Sequence, residues 1–265
     1  MIVIPGDDSP TLHVVDSGLT DGPAVVFAHA LGSDLTMWDA LLVHMPDSLR
    51  LIRMDMRGHG QSPCPDGPYP MGDLVGDAAR VLDRLHVRDC VFVGQSIGGM
   101  IAQGLAAERL DLVRGLVVAN TAVKIATPAI WADRIAAVRA AGIDPMVEPT
   151  MDRWFARATR RDQPELVDAA RARLRATALT GYLGCMEAIA GTDLYESTAR
   201  LRLPTLAIAG SEDGSTPADL VRETAGLIPG AQFHLLRGTG HMGPAEKPQD
   251  FAHILTGFLD GLGHI

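Results

Sequence analysis

The segment Val91-Phe-Val-Gly-Gln-Ser-Ile-Gly-Gly-Met100 constrains the fold of this chain more than any other. It reads as a short buried strand, a turn Gly94-Gln95-Ser96-Ile97-Gly98, and a helix running to about Glu108. A serine at such a strand-to-helix turn sits in strained backbone. Small residues two positions to either side let strand and helix pack closely. The turn exposes the hydroxyl and aims the N–H of Ile97, at the helix N-terminus, toward whatever carbonyl the serine attacks. With 28 Gly in 265 residues, composition alone can generate a GxSxG, so the flanking strand and helix carry the reading.

The rest of the chain supplies the context that this turn demands. Ala24–Ala28, Leu49–Met54, Cys90–Val93, Val113–Ala119, Thr205–Ala209 and Gln232–Leu236 read as strands. Most are unbroken Val, Ile and Leu runs, as expected for parallel strands covered on both faces. Helical patterns near 35–45, 71–86, 97–109, 217–228 and 247–262 alternate with them. This alternation predicts an α/β fold with a mostly parallel, doubly wound sheet. Thr11–Asp16 adds an antiparallel strand near one edge. From Asn120 to about Leu203 no strand is legible. Trp131/Ile135/Val138 and Met151/Trp154/Phe155/Ala158 there have helical spacing, and Pro128, Pro145, Pro149 and Pro164 punctuate the segment. The expected organisation is an α/β core of residues 1–120 and 203–265 with a helical cap inserted at 121–202. The cap would lie over the strand ends where open α/β sheets bind ligands.

A serine nucleophile needs a base, and the base needs an orienting acid. In folds of this type the chain order is Ser, then Asp or Glu, then His. Asp213 lies in Gly210-Ser-Glu-Asp-Gly-Ser-Thr-Pro217, after the Thr205 strand, with Glu212 and Asp219 as competing acids. His241 lies in Gly238-Thr-Gly-His-Met-Gly-Pro244, after the Gln232 strand. Both loops fall on the side of the sheet that carries Ser96. A second oxyanion donor is expected from the N–H of Leu31, in the turn His29-Ala-Leu-Gly-Ser33, beside that of Ile97. His29 shapes that turn. His59, in Asp55-Met-Arg-Gly-His-Gly-Gln-Ser62, reads as a hydrogen-bonding scaffold residue.

Composition bounds the function. A net charge of −9 gives no support to nucleic-acid or membrane binding, and no apolar run approaches a membrane span. Three scattered cysteines without a CxxC argue against a disulfide framework or a structural zinc and for a reducing cytoplasm. The N-terminal residues lack a basic region followed by a long apolar one, so no signal peptide is expected. Residues 121–200 hold 11 Lys and Arg against 10 Asp and Glu, whereas the whole chain is strongly acidic. This asymmetry suits a cap that faces an anion. Trp131 and Arg134, three apart on one helix face, are candidates to line the pocket, with Trp154 as an apolar wall. Packing within the cap is the competing reading for both tryptophans.

Several motifs make the chain resemble the α/β-hydrolase superfamily over nearly its whole length. They are His29-Ala-Leu-Gly, Asp55-x-Arg-Gly-His-Gly-x-Ser62, the Ser96 turn, Asp213, and His241 followed by Glu246-Lys-Pro248. Within it the chain most resembles the 3-oxoadipate enol-lactonases of bacterial aromatic catabolism. That resemblance rests on Leu31-Gly-Ser-Asp-Leu-Thr-Met-Trp38, Gly98-Gly-Met-Ile-Ala-Gln103, Ala119-Asn-Thr-Ala-Val-Lys-Ile-Ala-Thr-Pro-Ala-Ile-Trp131, Arg153-Trp-Phe155 and Gly181-Tyr-Leu-Gly-Cys185. His29-Ala30 and Gln95 depart from the pattern of these lactonases. The resemblance implies hydrolysis of a carboxylate-bearing enol-lactone by Ser96, His241 and Asp213, with no metal or organic cofactor. A carboxylesterase, another lactonase or a carbon–carbon bond hydrolase would use the same triad, and haloperoxidase-like proteins share the turn. A dehalogenase would carry aspartate at position 96. A small-molecule receptor of this fold would keep the triad without turnover.

Overall fold

The computed structural model describes residues 2–4 and 11–265. Eight strands form one sheet: β1 (Ile2–Ile4), β2 (Leu12–Gly18), β3 (Ala24–Ala28), β4 (Arg50–Met54), β5 (Cys90–Gln95), β6 (Val113–Ala119), β7 (Thr205–Gly210) and β8 (Gln232–Leu236). Their spatial order is β1-β2-β4-β3-β5-β6-β7-β8, with β3 to β8 mutually parallel and β2 antiparallel to both its neighbours, β1 and β4. β3, β5 and β7 are buried along their whole length, as their uninterrupted apolar runs require when helices cover both faces. β8 is an edge strand whose only fully buried residue is Leu236.

Helices α1 (Asp39–Leu42), α2 (Met71–Arg84) and α3 (Ile97–Glu108) belong to the first half of the chain. Between β6 and β7 come α4 (Pro128–Ala141), α5 (Asp144–Trp154), α6 (Arg157–Asp162), α7 (Pro164–Ala176), α8 (Leu179–Ala190) and α9 (Tyr195–Ala199). α10 (Ala218–Leu227), α11 (Gly243–Glu246) and α12 (Pro248–Gly261) complete the fold. α4, α5, α7 and α8 pack on one another, whereas α9 packs on α3 and α10. Among the described residues no helix is long and apolar enough to cross a membrane.

Local chemistry sets these boundaries. Thr127 caps α4 by accepting from the Ile130 N–H, Pro128 fills the first helical position, and Gly142 at φ +77° ends it. Trp131, Ile135 and Val138 form its buried stripe, as their spacing predicts.

β2 is the antiparallel strand expected near one edge, with β1 paired beyond it. Three expectations need correction. The helix expected near 35–45 is a 3-10 turn, Leu35–Trp38, capped by Asp34, followed by the single turn of α1. Pro149 lies inside α5 instead of between helices. The Met151-to-Ala158 pattern breaks at Phe155, which is extended, so Ala158 belongs to α6.

Candidate active site

The chain runs from β3 to β4 on one side of β3, then to β5 on the other. The loops after β3 and β5 therefore flank the point where strand order reverses, the usual crevice of open α/β sheets. Ser96 sits there at φ +58°, ψ −119°, the strained conformation expected of it. The tightness of the turn explains its glycines. A Cβ on Gly94 would lie 2.1 Å from the carbonyl oxygen of Gly98, and one on Gly98 would lie 2.3 Å from that of Ala28. The Ser96 N–H donates to Ala119 O (3.0 Å), and Thr121 Oγ1 donates to Ser96 O (2.6 Å), fixing the turn against β6.

His241 and Asp213 meet at 2.8 Å between Nδ1 and Oδ2 in the buried interior. Asp213 is the acid of the three candidates that bonds this imidazole; Glu212 instead accepts from the Arg157 N–H. The carboxylate is heavily supported. Oδ1 accepts from the N–H groups of Ser215 (2.7 Å) and Thr216 (3.0 Å), and Oδ2 accepts from Asn120 Nδ2 (2.7 Å) and Thr216 Oγ1 (2.8 Å). Burial pushes this carboxyl up, but the charge and hydrogen bond of His241 and the backbone donors outweigh it, so its pKa is lowered. An acceptor on Nδ1 leaves Nε2 bare, the tautomer a general base needs.

Ser96, His241 and Leu31 line one cavity, together with the three residues expected from the α4–α5 region, Trp131, Arg134 and Trp154. Trp154 stacks on the His241 ring at 6.3 Å between centroids and 24° between planes. Trp131 donates its indole N–H to Ile125 O and carries the Arg134 guanidinium 5.3 Å from its ring centroid. Both tryptophans are nearly buried, so they pack the helices and line the cavity at once.

The turn carrying Leu31 is held by two neutral histidines. His29 Nε2 accepts from the Met56 N–H (2.9 Å), and His59 Nε2 accepts from the Gly32 N–H (3.0 Å), so each loop braces the other. Burial, reinforced by the neighbouring His29, pushes the His59 pKa down to about 3, and burial likewise lowers that of His29. Asp55 adds a third tie by accepting from the Leu35 N–H at 2.7 Å.

Several supporting residues carry no role in the sequence reading. Asn120, at φ +47° just past β6, bridges Asp213 and Gly240 O. Gln95 does not line the cavity; its amide donates to the His241 carbonyl, tying the His241 loop to β5. Glu246 is buried and accepts from Gly240 N (2.7 Å), Ala156 N (2.9 Å) and Thr159 Oγ1 (2.7 Å), joining the His241 loop to α5 and α6. Burial raises its pKa against these donors. In Glu246→Gln one donor must face an amide NH2. The variant is expected to lose about 1–3 kcal/mol of stability in urea unfolding at neutral pH, the cost of one unpaired buried group.

The geometry defines the class, and comparison with known proteins agrees. Residues 23–248 match the family described as alpha/beta hydrolase fold, and the chain belongs to that family. It is therefore a hydrolase of the α/β fold. The chain is 33% identical to 3-oxoadipate enol-lactonase 2 of Acinetobacter baylyi over 248 residues, covering 94% of this chain and 92% of that relative. Among solved structures, a hydrolase from Pseudomonas aeruginosa superposes with TM-score 0.93 at 34% identity, covering 97% of each chain. The enol-lactonase from Burkholderia xenovorans LB400 superposes with TM-score 0.91 at 30% identity, covering 95% of this chain and 97% of that one.

Proposed function

We propose that this hydrolase opens the ring of 3-oxoadipate enol-lactone to give 3-oxoadipate in bacterial aromatic catabolism, the beta-ketoadipate pathway. The observation that carries the reading is one cavity lined by Ser96, by the Asp213-bonded His241 and by arginines suited to a carboxylate-bearing substrate. The relatives named for this reaction support it. Ser96 attacks the lactone carbonyl while His241 takes its proton and Asp213 stabilises the imidazolium. The N–H groups of Leu31 and Ile97 receive the oxyanion; among the described residues neither is spent on a turn bond. Ring opening expels an enolate, a better leaving group than an alkoxide. His241 then activates the water that frees the acid from Ser96. These steps call on no cofactor.

In this reading residues 121–202 act as a cap over a core of 1–120 and 203–265. Trp131 and Arg134 on α4 and Trp154 on α5 make its contacts with the substrate. The free cysteines Cys64, Cys90 and Cys185 suit a reducing cytoplasm.

The test is steady-state hydrolysis of the lactone, followed by loss of its ultraviolet absorbance, with p-nitrophenyl acetate as a generic ester. Efficient lactone turnover is expected. Ester turnover without lactone turnover would retire the substrate assignment and keep the triad. Loss of both would favour a non-turnover receptor.

A further inference from the structure

Two guanidinium groups stand in the catalytic cavity without an acidic partner. Arg134 on α4 and Arg153 near the end of α5 both line it, and no Asp or Glu does. Among the described residues neither forms an ion pair. Arg153 Nη2 donates only to Thr150 Oγ1 (3.0 Å), and Arg134 lies over the Trp131 ring. The acid adjacent to Arg153, Asp152, is engaged by Arg160. Elsewhere on the same stretch of chain the pattern is the reverse: Arg139, Arg160, Arg161, Arg171, Arg173 and Arg175 each meet a carboxylate. Arg157, which forms no ion pair among the described residues, is exposed to solvent.

Both arginines of the cavity are partly buried. Desolvation, and after it the charge of Arg134, lowers the pKa of Arg153. The two arginines line the same cavity as the buried Tyr182. Two like charges, drawn partly out of water with nothing to neutralise them, are unfavourable until an anion arrives.

We propose that Arg134 and Arg153 form a double anion site whose ligand class is the small aliphatic dicarboxylates. This rests on the lactone-hydrolase reading of the same cavity and goes beyond it. A carboxylate-bearing lactone offers one negative charge. Hydrolysis of its acyl bond by water leaves a second carboxylate and releases one proton, so the product matches the pair better than the substrate does. Arg153 thereby becomes a specificity-determining residue for the acid and a cause of product retention.

The deciding experiment is calorimetric titration of the wild-type protein at fixed low salt with adipate and with adipamate, which replaces one carboxylate by an amide of the same shape. Adipate is expected to bind about tenfold more tightly, as for one added charge-assisted contact. Arg153→Gln and Arg134→Gln should each shrink that ratio toward unity, with circular dichroism confirming the fold. A wild-type ratio within twofold, or no binding of either compound, overturns the proposal even if a variant fails to fold. Lactone turnover with no adipate preference would leave the reaction assignment standing alone. An adipate preference without lactone turnover would leave the dicarboxylate site standing and change the reaction.

Discussion

Ser96→Ala is expected to lower kcat by at least about 10⁴-fold on both the lactone and p-nitrophenyl acetate, with KM changed far less. In the proposed mechanism the hydroxyl is the atom that forms the acyl bond, and no other serine or threonine takes its place on the turn. The turn itself should survive the change. Its ties use the backbone: Ser96 N to Ala119 O, and Ser96 O receiving Gly99 N and Thr121 Oγ1. Alanine keeps the Cβ and meets the same φ of +58° that serine already tolerates. Substrate affinity should persist because Arg134, Trp131 and the Leu31 turn are untouched. A far-ultraviolet circular dichroism spectrum and melting curve like those of the wild type would assign the loss to chemistry. A residual rate within tenfold of wild type would remove Ser96 from its role.

The elements most legible in the sequence are those whose information is local. β3 and β6 begin and end where their apolar runs do, because buried parallel strands need no polar alternation. α4 is equally plain, with Thr127-Pro128 opening it and Gly142 closing it. β1 is three residues long and offers no pattern of its own; it exists through its pairing with β2. At Phe155 a helical pattern is overruled by the needs of other loops. The chain straightens there, and Arg153 O and Trp154 O accept from Gly214 N and Met242 N, stitching α5 to the loops of Asp213 and His241. Asn120 and Glu246 were illegible for the same reason. Each acts on a partner 90 or more residues away, Asp213 at a separation of 93 and Ala156 at 90. Spacing along the chain does not encode such contacts. Arg153 hides differently: only the ion pairs of its neighbours reveal that it lacks one. Arg153 and the loops of Asp213 and His241 thus meet through residues 153 to 156. A variant that loosens Glu246 should disturb both.

Asp213→Asn is expected to lower kcat by about 10³- to 10⁴-fold while leaving the cavity's shape nearly unchanged. The reason lies in the five donors around this side chain. Ser215 N and Thr216 N fix the Oδ1 position as an oxygen, since an NH2 there would face two N–H groups. The amide nitrogen must then take the Oδ2 position, opposite His241 Nδ1. Facing a donor, the imidazole shifts its proton to Nε2 and ceases to be a base toward Ser96. The damage is therefore to the tautomer rather than to placement, and KM should move little. The pH dependence separates this from a simple loss of charge. The native carboxyl is held below its ordinary range, so its stabilising contribution is complete above the unfolded value and disappears only as pH falls through the lowered one. Asp213 accordingly stays ionised at about pH 5, within the range of an ordinary rate profile. An acid limb in the wild-type rate profile near that pH would therefore not come from it. In the variant, kcat should be depressed across the whole profile instead of only on its acid side. A loss smaller than tenfold, or one confined to low pH, would mean that the carboxylate holds His241 in place without choosing which nitrogen carries the proton.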